Sequence, residues 1–94
     1  MKKISLVFDK ATTRLAGNPY GKTEFEKQAK NLIDYNDVNI VVFPFQIEKV
    51  ASSFTQGFFS EVVEKVGYAG FDKIIKIEAK DENLANTIHS DLFA

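Results

Sequence analysis

Six apolar residues in a row, Ile40-Val41-Val42-Phe43-Pro44-Phe45, constrain this chain more than any other stretch. A run of that length between polar turns is the pattern of a central strand covered on both faces of a sheet. Pro44 has no N–H to give a ladder, so regular pairing is expected to stop near Phe43. After a short polar bend the period changes: Phe54, Phe58, Phe59, Val62, Val63 and Val66 make the broad apolar face of a helix. Ser53 with Gln56 three residues on has the form of a capping box, and Gly67 suits the left-handed position that closes a helix. A buried strand feeding an amphipathic helix is half of a parallel α/β unit.

The flanking sequence completes that unit. Ile4, Leu6 and Phe8 alternate with Lys3, Ser5 and Val7 as a strand with one buried face, and Thr12 to Leu15 is a short second strand. Asn18-Pro19 has the Ncap–N1 pairing of a helix start. From Lys22 to Tyr35, Phe25, Ala29, Leu32 and Ile33 fall on one face, with Glu24, Glu26, Lys27 and Lys30 turned outward. Lys73 to Ile77 alternates as a third clear strand, and Asp81 caps a last helix carrying Leu84, Ile88 and Leu92. The predicted order is β-(β)-α-β-α-β-α, one small α/β domain with a mostly parallel or mixed sheet and helices packed on it. Val41, Phe43, Phe58, Val62 and Ile75 should share its core, and 94 residues suffice for one such core.

What the chain lacks narrows its chemistry. A net charge of −1 with Arg14 as the lone arginine leaves no basic surplus for a phosphate backbone, so no nucleic-acid partner is expected. The absence of cysteine removes thiolate nucleophiles and zinc-thiolate sites, and the single histidine, His89, has no partner that sequence can place beside it. Gly17 and Gly21 around Asn18-Pro19 match no nucleotide-cradle pattern. The carboxylates are scattered among lysines, as on solvated helix faces. A non-enzyme without cofactor or metal is the expectation. The apolar stretch after Lys2-Lys3 is broken by Ser5 and ends at Asp9, so it reads as a strand; no run approaches the ~20 residues a membrane span needs, and a soluble, cytoplasmic chain is expected.

Val41-Val42-Phe43-Pro44-Phe45 followed by Ala51-Ser52-Ser53-Phe54 resembles the STAS-like family, small bacterial and phage domains related to sulphate-transporter and anti-sigma-factor-antagonist domains. Thr13-Arg14-Leu15, Gly17-Asn18-Pro19-Tyr20-Gly21, Gly67 and Phe71 to Ile77 extend the resemblance. It implies a regulatory protein-binding module in which a serine at a helix start is phosphorylated by an ATPase-type kinase, switching partner binding. Ser53 is the positional match and Ser52 its neighbour. The sequence departs from the antagonist pattern in having Pro44 where an acidic residue commonly precedes the strand-end Phe, and Phe54 where a glycine follows the serine.

Arg14, Asn18, Lys49 and Phe54 are the expected partner- or anion-binding residues around those serines; the alternative for Arg14 is an ion pair that holds the loop. Two other functional readings stand beside the interaction module. One is a small-ligand or nucleotide-binding domain, because α/β sheets bind ligands beyond the carboxyl ends of their strands. The other is a stand-alone inhibitor from a phage or mobile element that occludes a larger protein. A protein partner is common to the first and last, with the chain itself a monomer or homodimer.

Overall fold

Across residues 1–93, which the computed structural model describes, the chain forms β1 (Lys2–Ser5), β2 (Arg14–Leu15), α1 (Asn18–Gln28), β3 (Asn39–Val42), β4 (Lys49–Val50), α2 (Ser52–Ile74), β5 (Ile75–Glu78) and α3 (Glu82–Leu92). β1, β3 and β5 pair in parallel in that spatial order, so the apolar run does lie in the central strand. β2 and β4 pair separately as a two-stranded parallel sheet. This is the small α/β domain expected, with one addition: β4 lies within the stretch read as a bend. Among the described residues no helix is long and apolar enough to cross a membrane.

Register explains which side is dry. Ile4, Val41 and Ile77 are neighbours across the three strands, as are Lys3, Ile40 and Lys76. Side chains alternate between faces, so the first row turns to the helices and the second away from them. Val41 is fully buried, whereas Ile40 and Val42 are only half-buried. The expectation of a strand covered on both faces is therefore corrected. Stepping from β1 to β3 to β5 in one direction with right-handed crossovers places the connecting helices on one face, and the lysine stems beside Ile40 provide partial cover on the other.

The helix-side core is aromatic. Phe58 packs edge-on to Phe25 with ring centroids 5.5 Å apart and to Phe59 at 4.9 Å, and it stacks with Phe54 at 5.8 Å. Val41, Phe43, Phe58, Val62 and Ile75 are all buried, as the sequence predicts. What lets α1 and α2 lie so close is a pair of glycines. A Cβ on Gly57 would meet the Asn18 backbone, and one on Gly21 would lie 2.7 Å from the Phe58 nitrogen. Gly21 is thus a helix-crossing residue inside α1.

Boundaries shift where buried polar groups intervene. The first helix, expected to start at Asn18-Pro19 or just after Gly21 and to run to Tyr35, takes the earlier start and spans only Asn18–Gln28. The N–H groups of Ala29 and Lys30 both donate to the Phe25 carbonyl, which ends regular helix, and Leu32 is left 45% exposed. Asn39, fully buried, explains the path that follows: its Nδ2 donates to the Asp34 carbonyl at 2.8 Å, and its Oδ1 accepts from the Asp34 N–H at 2.9 Å. That clasp fixes a non-helical connection into β3. Glu24, expected outward, is buried and accepts from Gln28 Nε2 at 2.7 Å.

Gly67 (φ 74°) breaks α2 as predicted, but the chain resumes as helix to Ile74, burying Phe71 against Phe59, so β5 begins at Ile75 and not at Lys73. Asp81 caps α3 as expected, its Oδ1 accepting from the Leu84 N–H at 2.8 Å, and Leu84, Ile88 and Leu92 face the core.

Candidate functional site

The β2–β4 pair brings together two of the expected site residues, which lie 35 positions apart in the sequence. Arg14 and Lys49 are direct partners in register, as are Leu15 and Val50. Strand alternation turns Leu15 and Val50 into the core and leaves both cations exposed. The Glu48 N–H donates to the Thr13 carbonyl at 2.7 Å, and the Ala51 N–H to the Leu15 carbonyl at 2.8 Å, which locks this pairing onto the start of α2.

Between the pair and α3 lies an open cleft of about 350 Å³, with Leu15, Val50 and Leu84 as an apolar floor and Arg14 and Lys49 at its rim. Among the described residues neither cation forms an ion pair; the salt bridges involve other groups. The ion pair considered for Arg14 is thus not formed among the described residues. A guanidinium and an ammonium side by side above an apolar floor can hold a carboxylate or phosphate attached to a hydrophobic group.

The serines divide their roles differently from expectation. Ala51 is the N-cap of α2 and no side chain caps this helix, so the Ser53–Gln56 capping box is corrected. Ser53 lies one residue inside the helix, half-buried, and its Oγ accepts from the Gly17 N–H at 3.0 Å. Gly17 is the N-cap of α1 at φ 103°, and its N–H faces away from its own helix; the Ser53 hydroxyl satisfies it. Gln56 instead donates to the Asp91 carbonyl at 3.3 Å, tying α2 to α3. Ser52 is exposed on the first turn of α2, next to the cleft wall formed by Ala51.

Two other expectations are corrected. Phe54 cannot reach a partner: it is completely buried, stacked on Phe58 and edge-on to Tyr20 at 5.4 Å. Burial and the nearby Glu24 carboxylate push the Tyr20 hydroxyl above its ordinary pKa, so this ring stays neutral over Phe54. Asn18 is the first residue of α1, with Gly17 as the cap in its place; it is half-buried, with its backbone against Gly57.

Sequence reasoning missed two features. Phe45, read as part of the apolar strand, is 81% exposed in the loop between β3 and β4, because pairing ends just before Pro44. His89 does have a partner: its Nε2 lies 2.6 Å from Asp72 Oδ1, beside the Phe93 ring at 4.9 Å. The cleft next to this pair is lined by no hydroxyl or thiol side chain that could serve as a nucleophile. Nothing local signals the pairing, which depends on the Gly67 break and the return of α3. Among the described residues no three His, Asp or Glu side chains gather as a metal-binding group. No protein-family model, curated protein or solved structure matches the chain.

Proposed function

We propose that this protein is a non-catalytic interaction module that recognises an acidic, partly apolar segment of a protein partner through the Arg14–Lys49 cleft. The observation that carries the reading is the pairing of two exposed cations, without ion-pair partners among the described residues, on the rim of an apolar cleft. Phe45, on the loop that leads into Lys49, supplies an exposed aromatic anchor of the kind that dominates interface energies. The STAS-like resemblance agrees with a regulatory module of this sort.

Ser52 is the better placed of the two serines for a switch. A phosphate there would gain from the unpaired N–H groups of the first turn and would compete with an acidic partner for Arg14 and Lys49. Ser53, with its hydroxyl engaged by Gly17, is the structural member of the pair. Selection from a random peptide display library with the whole protein as bait tests the reading. Enriched sequences should combine Asp or Glu with apolar residues, and binding should fall for Arg14→Glu/Lys49→Glu and for Ser52→Asp. Enrichment that ignores all three substitutions would sink it. The size of the cleft also favours a second reading, a small amphipathic carboxylate as ligand, which would raise the melting temperature without a peptide.

A further inference from the structure

The two edges of the main sheet are treated differently. At β1, the Gln28 side chain imitates a neighbouring strand: its Oε1 accepts from the Val7 N–H at 2.7 Å, and its Nε2 donates to the Val7 carbonyl at 2.9 Å. That amide occupies the edge just beyond β1 and shortens what another chain could pair with. At β5 no side chain of the described residues bonds to the strand's outer backbone groups. The Phe43 N–H donates to the Glu78 carbonyl, and Val42 and Glu78 are partners in register. Parallel pairing therefore turns Lys76 and Glu78 toward β3 and leaves the N–H and C=O of Ile77 pointing to the free edge. The Ile75 N–H is held by the Phe71 carbonyl, which leaves its C=O as a further acceptor on that edge.

α3 returns beside this edge without closing it. Two clefts of about 370 and 250 Å³ share Ile77 and Ala85 and so form one groove along β5, with the small Ala85 side chain as its helical wall. Asp72, Glu78, Asp81 and Glu82 line it against Lys76 and His89, an acidic balance. Free strand groups on one wall and a helix on the other are the geometry in which peptides add as an extra strand.

We infer that the β5–α3 groove is a second binding site, distinct from the Arg14–Lys49 cleft, which takes an extended peptide of alternating basic and apolar residues by strand addition to Ile77. The peptide's backbone pairs with Ile77, its apolar side chains lie on Ala85, and its cations meet Glu82, the acidic residue of the groove that forms no ion pair among the described residues. The probe is a nine-residue peptide of alternating Val and Lys, with the matching Val and Glu peptide as control, titrated into the 15N-labelled protein. The Val/Lys peptide should bind saturably and slow exchange of the Ile77 amide at least tenfold, and the Val/Glu peptide, whatever it does at the Arg14–Lys49 cleft, should leave Ile77 exchange unchanged. Ala85→Lys keeps a good helix former, fills the groove and adds a repelling charge, so it should abolish binding while its melting curve shows it folded. Arg14→Glu/Lys49→Glu should bind the peptide as wild type does, which separates this site from the other cleft. No binding up to millimolar peptide, binding that leaves Ile77 exchange unchanged, or equal binding by folded Ala85→Lys would overturn the inference.

Discussion

Replacing Gly57 with alanine tests the contact that sets the position of the candidate site. An alanine Cβ would sit 2.9 Å from both Cα and C of Asn18, at least half an ångström inside ordinary van der Waals contact, which begins near 3.4 Å. The opposing atoms are backbone and cannot rotate aside, so α1 must retreat as a unit. Overpacking of this kind costs about 1–3 kcal/mol, and a rigid opponent places it toward the upper end. Against that stands the helix preference of Ala over Gly, roughly 1 kcal/mol. The net expectation is a loss of about 2 kcal/mol, or a fall in Tm of roughly 8–16 °C for a domain of this size. Urea unfolding followed by circular dichroism at 222 nm measures it. Gly21→Ala meets the same crossing from the other side, so the double variant should lose less than the sum of the two, because helices already parted by one methyl have room for the second. A Gly57→Ala protein as stable as wild type would refute the backbone-to-backbone crossing.

Further expectations concern single polar groups and one core ring. Thr55 is fully buried with its hydroxyl unbonded, so Thr55→Val should be neutral or stabilising by up to about 1 kcal/mol in the same unfolding assay. Ser53→Ala should cost about 1 kcal/mol by orphaning the Gly17 N–H, and faster exchange of that amide would identify the bond as the cause. Phe54→Ala should cost roughly 3–5 kcal/mol in stability, in keeping with a core residue, as chemical denaturation would show. The Met1 ammonium and the Val38 N–H hold the Asp37 carboxyl below its ordinary pKa. Its stabilising effect is therefore present above the unfolded carboxylate pKa, near 3.9, and disappears as pH falls through the lower folded value. Asp37→Asn should flatten that acid limb of a stability–pH profile.

The parts of the fold that were legible in the sequence are those that periodicity encodes. Val41 in the central strand with Phe43 buried just past its end, the Phe54–Val66 face of α2 and the Asp81 cap each follow from local pattern, and local pattern survives into the structure. What failed depended on distant groups. The end of α1 is dictated by Asn39, a polar residue ahead of an apolar run whose burial becomes visible only when its amide is seen clasping Asp34. Ser53 sits in a capping motif but bonds to Gly17, because the N–H of a second helix's cap lies closer to hand. Arg14 and Lys49 were both legible as candidates, but their adjacency was not, since it requires a two-residue strand with no periodicity of its own. Phe45 closes the continuous apolar run but follows Pro44, past the point where pairing was expected to stop, and it falls in an exposed loop.

A charge swap tests most directly whether Arg14 and Lys49 together read a negative group on a partner. Isothermal titration would compare a display-selected acidic peptide, and the same peptide with its acidic residues changed to Lys, against wild type and Arg14→Glu/Lys49→Glu. Exposed ion pairs contribute about 0.2–1 kcal/mol each, so reversing two cations should weaken the acidic peptide by roughly tenfold. The Lys peptide should show the opposite order, binding the double variant more tightly than wild type. Equal affinities of both peptides for both folded proteins would contradict the account.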